Sequence, residues 1–497
     1  MLYFLGYLGW GVWPCLFVFL VPLWRTLEDV TLARAALLGF VFGLSAYVGG
    51  FLWLFRLVEP FLDGNRVAGT ILWLAYGVWF AAGFAAYAVC FRAVRRRGGP
   101  FVLAGVAPLV VIEWLQPQLF PVNAGSGLVT VPAAVQTADL GGPLLLTALV
   151  AGANVAVLET WRWWRQERAT ARATPRATWV ATLAISLAVV LYGRVRTTAV
   201  ETAAVTAPAL RVGVVQANLG VMEKRLQGVV AHRRHLDQTR ELLDGGAVDL
   251  VVWPETAYVR GIRRPLPISG QPIREDVTVP ILFGASSVWE EDGRRVTANS
   301  ALLIGADGMI RDAYDKNLLI PLTEYVPLAA YLPIGRWFPH VQDFGAAGDT
   351  PPLRLGAWRI ATPICYEAIR ADFVRRMVTA SQANLLVTLA NDAWFGDSAE
   401  PWMHLALARL RAIEHRRYLV RATNSGISAI VDPAGRVLVQ SRLLTRENLH
   451  GTVHLLDQPT LYGRVGDWPG LVAVVLLVAM LVPWPARQRE VGNEPPR

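Results

Sequence analysis

The chain has 497 residues and a net charge of +9, with 54% hydrophobic and only 17% charged residues, and its mean hydropathy is +0.37. That length exceeds one ordinary domain, and a soluble protein of this size carries more charge, so the composition points to a membrane protein. Three cysteines without CxxC spacing exclude a disulfide framework, and no Cys/His cluster has zinc-ligand spacing, so no metal or cofactor is expected.

Long apolar runs fill the first 195 residues: Leu2–Trp24, Arg34–Phe55, Gly69–Phe91, Phe101–Leu115, Leu140–Leu158 and Thr178–Leu191. A further run covers Trp468–Trp484. About 20 mostly apolar residues cross a bilayer, so seven spans are expected, Phe101–Leu115 being the shortest and carrying Glu113. The chain thus divides into membrane helices over residues 1–195, a separate domain over 208–456, a last membrane helix over 467–485 and a tail over 486–497.

Arginines mark one side of these spans. Arg92, Arg95, Arg96 and Arg97 follow the third run, Arg162, Arg165, Arg168, Arg172 and Arg176 follow the fifth, and Arg487, Arg489 and Arg497 lie in the tail. The segment Gln116–Asp139 has no Lys or Arg. The positive side is cytoplasmic, so Gln116–Asp139 and the region from Arg194 to Asp467 are expected outside. The N-terminus then also falls outside. Leu2–Trp24 lacks a positive n-region, and a further span is expected ahead of it. The skew also accounts in part for the net charge, and no basic patch interleaved with aromatics points to a nucleic-acid partner.

Residues 208–456 read as an α/β layered domain. "LRVGVVQANL", "VDLVVWPETA", "VPILFGASSVW", "NSALLIGADG", "RIATPICYE", "NLLVTLAND" and "GISAIVDPAGRVL" read as strands, with "GADG" and "DPAG" as hairpin turns. "HRRHLDQTRELLDGG" and "EPWMHLALARLRAIEHRR" read as helices.

Three residues at the ends of strand-like runs stand out: Glu255 in "VVWPETA", Lys316 in "YDKNLLIPLTEYVP" and Cys365 in "TPICYEA". Taken singly, a carboxylate near a helix start, a surface lysine and a small buried cysteine are the ordinary readings. Yet only Lys224 and Lys316 among 47 basic residues are lysine, and lysine differs from arginine in having a pKa that can be moved. Together the three make a chemical set. A thiol with a free pKa of about 8.5 needs a base or a cation to become a nucleophile. A carboxylate can take its proton, and an ammonium can hold the thiolate and the later oxyanion.

Glu, Lys and Cys in this order resemble the carbon–nitrogen hydrolase (nitrilase) superfamily. "WPETA", "LIPLTEYVP", "CYE" and "NDAWFGDS", coupled to the apolar runs, resemble the apolipoprotein N-acyltransferase family across nearly the whole chain. The resemblance implies a multi-span membrane domain with a periplasmic αββα sandwich, in a bacterial inner membrane. It implies acyl transfer from a phospholipid to the α-amino group of a diacylglyceryl-cysteine on an apolipoprotein, through a thioester. In that reading Glu255 is the base, Lys316 the oxyanion stabiliser and Cys365 the nucleophile. Glu324 orients Lys316 or Glu255, and Tyr366 and Glu367 flank the thiol. Asn299 either positions the loop carrying Lys316 or is an ordinary turn asparagine. Trp337 and Phe338, in Val326–Val341, are expected to form a lid at the lipid interface or a loop packed on the domain. Trp394 and Phe395 are expected to contact substrate or fill core. Arg225 stands where some members carry an aromatic. A monomer is expected. The rival readings are an amidase that uses water as acceptor and a non-catalytic membrane sensor.

Overall fold

The computed structural model describes residues 1–8, 10–58, 65–165, 175–220, 228–291, 293–321, 323–326, 344–346 and 348–482. Among these, four helices are long and apolar enough to cross a membrane: Leu32–Gly50, Gly69–Arg96, Ala138–Trp164 and Arg176–Thr206. Phe101–Leu115 and Trp468–Leu481 are shorter apolar helices packed on each other. Arg176–Thr206 outruns its expected span. At 1.5 Å per residue it extends about 46 Å, beyond a hydrocarbon core of roughly 30 Å, and enters strand Ala209–Gln216 almost directly.

The first apolar run is broken rather than continuous. It forms a helix over Leu2–Gly6, a 3-10 turn over Trp13–Phe17 and a helix over Leu20–Thr26. Gly11 has φ +69°, and Pro14 cannot donate a backbone hydrogen bond. The chain folds back, with the Val12 N–H donating to the Leu5 carbonyl at 3.1 Å. A Cβ on Gly6 would come within 2.8 Å of Leu16, so only glycine permits this approach.

Glu113 is a structural acceptor. It takes the Thr147 hydroxyl at 2.6 Å, the Ala124 N–H at 2.9 Å and the Asn123 amide at 3.3 Å. Buried backbone outside regular helices needs such partners, and Glu113 supplies one to the start of the buried 3-10 turn Ala124–Thr130.

Arginine-rich segments share one face. The Arg92 guanidinium donates to the Val30 carbonyl at 2.8 Å, Arg25 lies 5.7 Å over the Trp161 ring, and Arg162 pairs with Glu28. The 116–139 segment lies on the other face, against the α/β domain.

That domain has four layers. One sheet orders Glu447–His454, Ala209–Gln216, Leu250–Val252, Ile281–Glu291, Arg294–Ile304, Met309–Asp315 and Ile268–Ser269, with Tyr258–Arg263 also on Ile281–Glu291. The second orders Val437–Gln440, Ala429–Val431, Leu419–Thr423, Leu385–Ala390, Trp358–Ala361 and Leu353–Leu355. Val212, Val214 and Val252 of the first sheet meet Leu386, Val420 and Ile430 of the second in one buried core. Leu385–Ala390 runs parallel to both neighbours and is buried along its length, as central parallel strands are. Helix Gly228–Asp244 covers the first sheet through Leu236 and Leu242. Ala371–Ser381 and Glu400–His415 cover the second.

Buried polar contacts fix this domain to the membrane helices. Arg416, fully buried, donates to Asp139 Oδ2 at 2.9 Å, Gln136 Oε1 at 2.6 Å and the Gln136 carbonyl at 2.9 Å. Trp53 packs edge-on against Phe120 and Phe395, and Phe120 against Tyr366. The apolar core of the membrane helices is continuous with Tyr366, Ile369 and Leu407.

Candidate active site

Strand ends deliver the three singled-out residues. Glu255 follows Leu250–Val252, Lys316 directly follows Met309–Asp315, and Cys365 follows Trp358–Ala361. Lys316 Nζ lies 2.6 Å from Glu324 Oε1 and 3.6 Å from Glu255 Oε1. Cys365, half-buried, feels the charges of Glu255, Lys316 and Glu324, so it shares one electrostatic environment with the buried Glu255 and Lys316 and the half-buried Glu324.

The surrounding backbone holds them there. Asn299 bridges both sides: its amide donates to Glu255 Oε1 at 2.7 Å, and its carbonyl accepts the Lys316 N–H at 2.8 Å. The Glu324 carboxylate also takes the Ile320 N–H at 2.8 Å, closing its own loop onto Lys316. Glu367 Oε1 takes the N–H groups of Asn317 at 2.6 Å and Leu318 at 3.0 Å, while Oε2 takes that of Ile364 at 2.8 Å. Tyr314 donates to both oxygens at 2.8 Å. One carboxylate therefore joins the lysine loop to the cysteine turn. Cys365 opens that turn at φ +51°, a left-handed conformation rare for a residue with a Cβ.

The electrostatics set the resting state. Burial pushes the Cys365 thiol well above its ordinary value, Glu255 adds to the rise, and Lys316 opposes it. Burial pulls Lys316 down, but the charges of Glu324, Glu255 and Cys365 outweigh it and leave the ammonium more firmly protonated than in water. Burial raises Glu367 to about 7 against the pull of its backbone donors and Lys316. A resting thiol beside a permanent cation and a carboxylate can do nucleophilic acyl chemistry once the carboxylate takes the proton.

Two family profiles cover the chain: "Apolipoprotein N-acyltransferase N-terminal domain" matches residues 1–156 and "Carbon-nitrogen hydrolase" matches residues 211–455. An apolipoprotein N-acyltransferase of Azotobacter vinelandii is 30% identical, over 91% of this chain and 79% of that one. The chain belongs to the apolipoprotein N-acyltransferase family. Relatives of the same name include one from Rhodopseudomonas palustris, 30% identical over 97% of this chain and 92% of that one. Another, from Geobacter metallireducens, is 29% identical over 95% and 91%.

In this family member the other expected contact residues are divided. Phe395 is buried against Trp53, and Trp394 packs on the membrane-helix core. Neither is among the described residues lining the cavity beside the cysteine turn. Trp337, Phe338 and most of Val326–Val341 lie outside the described residues, as does Arg225.

Sequence reasoning missed a second buried cluster behind Cys365. His404 Nε2 lies 3.1 Å from the Cys365 carbonyl, which can only accept, so this nitrogen carries hydrogen. His404 Nδ1 is 3.1 Å from Asp392 Oδ1 and 3.6 Å from Glu400, and Arg421 reaches Asp392 Oδ2 at 2.7 Å. Burial opposes the charge on Asp392, but Arg421 and His404 hold its pKa at about 2. Burial and the charge of Asp392 push Glu400 up. Asp392, Glu400 and His404 have metal-ligand chemistry, but Arg421 and the Cys365 carbonyl already engage two of them. The cluster supports the Cys365 backbone from behind. The "NDAWFGDS" motif contained Asp392, yet nothing in it pointed to His404.

Proposed function

We propose that this protein transfers an acyl chain from a membrane phospholipid to the N-terminal α-amino group of a diacylglyceryl-cysteine on an apolipoprotein. The observation that carries the reading is the grouping of Glu255, Lys316, Glu324 and a half-buried Cys365, whose chain neighbours Asn317, Tyr325 and Tyr366 line a cavity walled on its other side by a membrane helix. Glu255 takes the Cys365 proton, and the thiolate attacks the ester carbonyl. Lys316 and the Tyr366 N–H receive the oxyanion. Collapse expels the lysophospholipid oxygen, which takes the proton from Glu255, and a thioester remains. The amine then attacks the thioester, Glu255 takes its proton, and the Cys365 thiolate leaves and regains that proton.

The membrane helices serve this chemistry. Drawing an acyl chain into water costs about 0.8 kcal/mol per CH₂, so a site at the bilayer surface avoids that cost. The arginine-rich face is cytoplasmic in this reading. The catalytic domain then faces the periplasm of a bacterial inner membrane, and the protein acts as a monomer.

Mass spectrometry of the purified protein incubated with phospholipid tests the reading. The expected result is an acyl adduct on Cys365, absent in Cys365→Ser and discharged onto an added diacylglyceryl peptide. Ammonia release from simple amides without such an adduct would instead establish a water-using amidase.

A further inference from the structure

An open cavity of about 790 Å³ lies between the membrane helices and the catalytic loops, a volume suited to a small amphipathic ligand. Tyr76 and Trp79 of helix Arg66–Arg96 line one side, and Leu318, Tyr325 and Tyr366 line the other. Tyr325 follows Glu324 and Tyr366 follows Cys365, so the cavity adjoins the reacting cluster. Among the described residues lining it, Arg370 alone is charged.

Arg370 also borders a neighbouring cavity of about 360 Å³ that carries Glu113, Asp372 and Asp467. An anion is disfavoured there and favoured on the other side, where none of the described lining residues is acidic. Arg370 Nη1 donates to the Gln118 carbonyl at 3.1 Å and the Tyr366 hydroxyl at 3.2 Å, and Nε stands 3.7 Å from Asp372. Nη2 has no partner among the described residues. These bonds fix the guanidinium plane while part of its fork stays available, and its side chain is 32% exposed. Guanidinium is the side chain best matched to phosphate oxygens.

We infer that Arg370 is a specificity-determining residue that binds the phosphodiester of the acyl-donor lipid, placing its ester carbonyl beside Cys365. This rests on the phospholipid-donor reading above. The acceptor amine needs no such contact, so Arg370 serves the first half-reaction only.

The test compares two donors with full-length protein in detergent micelles: dioleoylphosphatidylglycerol and the phosphate-free ester p-nitrophenyl palmitate. Loss of a charge-assisted hydrogen bond corresponds to roughly tenfold in affinity. Arg370→Gln is therefore expected to raise the KM for phospholipid about tenfold in acyl-enzyme formation. Its rate with p-nitrophenyl palmitate, and discharge of the preformed thioester to the peptide, should match the unaltered protein. Arg370→Lys, keeping charge without the fork, should fall between. Equal losses with both donors would show a structural role and overturn the inference, as would an unchanged phospholipid KM. Inorganic phosphate that competes as well as phospholipid would show a free-anion site and overturn it too. If the unaltered protein forms an adduct with p-nitrophenyl palmitate and none with phospholipid, the donor reading fails, and the inference with it.

Discussion

Glu367 accepts the N–H of Asn317 at 2.6 Å, which ties the residue after Lys316 to the turn that begins with Cys365. The same oxygen takes the Leu318 N–H, and the other takes that of Ile364. The relative placement of thiol and ammonium therefore depends on one side chain with two accepting oxygens. Glu367→Gln keeps the size but turns one of those oxygens into a donor facing N–H groups. The cost is that of leaving buried donors unsatisfied, about 1–3 kcal/mol each. Acyl-enzyme formation is expected to fall by on the order of 10²-fold, as ångström-scale misplacement does. Quantified Cys365 adduct against time measures it, and a rate within twofold of the unaltered protein would refute the role.

Removal of the support behind Cys365 should also be visible. His404→Ala deletes the donor to the Cys365 carbonyl and leaves the left-handed backbone at Cys365 without that restraint. A fall in kcat of roughly 10–100-fold with little change in KM is expected, because substrate contacts remain. His404→Gln can still donate at similar reach and should recover part of the rate. If alanine and glutamine behave alike, the hydrogen bond to the carbonyl is not what matters.

These two relationships differ in how far they were readable beforehand. Glu255, Lys316 and Cys365 stood out because each ends an apolar strand-like run and because lysine is scarce in an arginine-rich chain. The same runs pointed to an α/β layered domain, while its two-sheet sandwich came from the family resemblance, and helix Ala371–Ser381 was not singled out. Strand Leu419–Thr423 was harder to see, since it starts directly after a helix and contains Arg421, an unlikely core residue until Asp392 is placed against it. The break in the first apolar run was hidden by its uniform hydrophobicity, although Gly11 and Pro14 marked it locally. His404 lies 39 residues beyond Cys365 on a helix, where nothing but the third dimension joins them. Arg370 looked like any other arginine in the sequence, and its meaning comes from the cavity it faces, where it is the one charged residue among the described lining.

Docking of the catalytic domain on the membrane helices should depend on Arg416. Its guanidinium joins Asp139 and Gln136 in a fully buried site, with Arg196 as the second cation on Asp139 at 2.9 Å. Breaking one partner of such a buried pair costs about 3–5 kcal/mol. Arg416→Met should lower the unfolding temperature in detergent markedly. Arg416→Lys should rescue it only partly, because an ammonium cannot reproduce the fork that meets both partners. Equal stability of the methionine variant and the unaltered protein would show that apolar contacts such as Trp53 on Phe395 carry the docking alone.

The charges around Cys365 make opposite predictions for its two neighbours. Glu255 raises the thiol pKa and Lys316 lowers it, on top of the rise from burial. Only the thiolate is alkylated by iodoacetamide, so alkylation at a fixed pH near 8 reads the thiolate fraction. With the folded pKa above that pH, lowering it increases the fraction and raising it reduces the fraction. Glu255→Gln removes a negative charge, so the thiol should be alkylated faster while acyl transfer collapses for lack of a proton acceptor. Lys316→Met removes a positive charge, so alkylation should slow and acyl transfer should collapse as well. Mass spectrometry of the Cys365 peptide separates this thiol from Cys15 and Cys90. Slower alkylation in Glu255→Gln would mean that Glu255 does not act on Cys365 as a repelling charge at rest, and its part as the base would have to be given to another group.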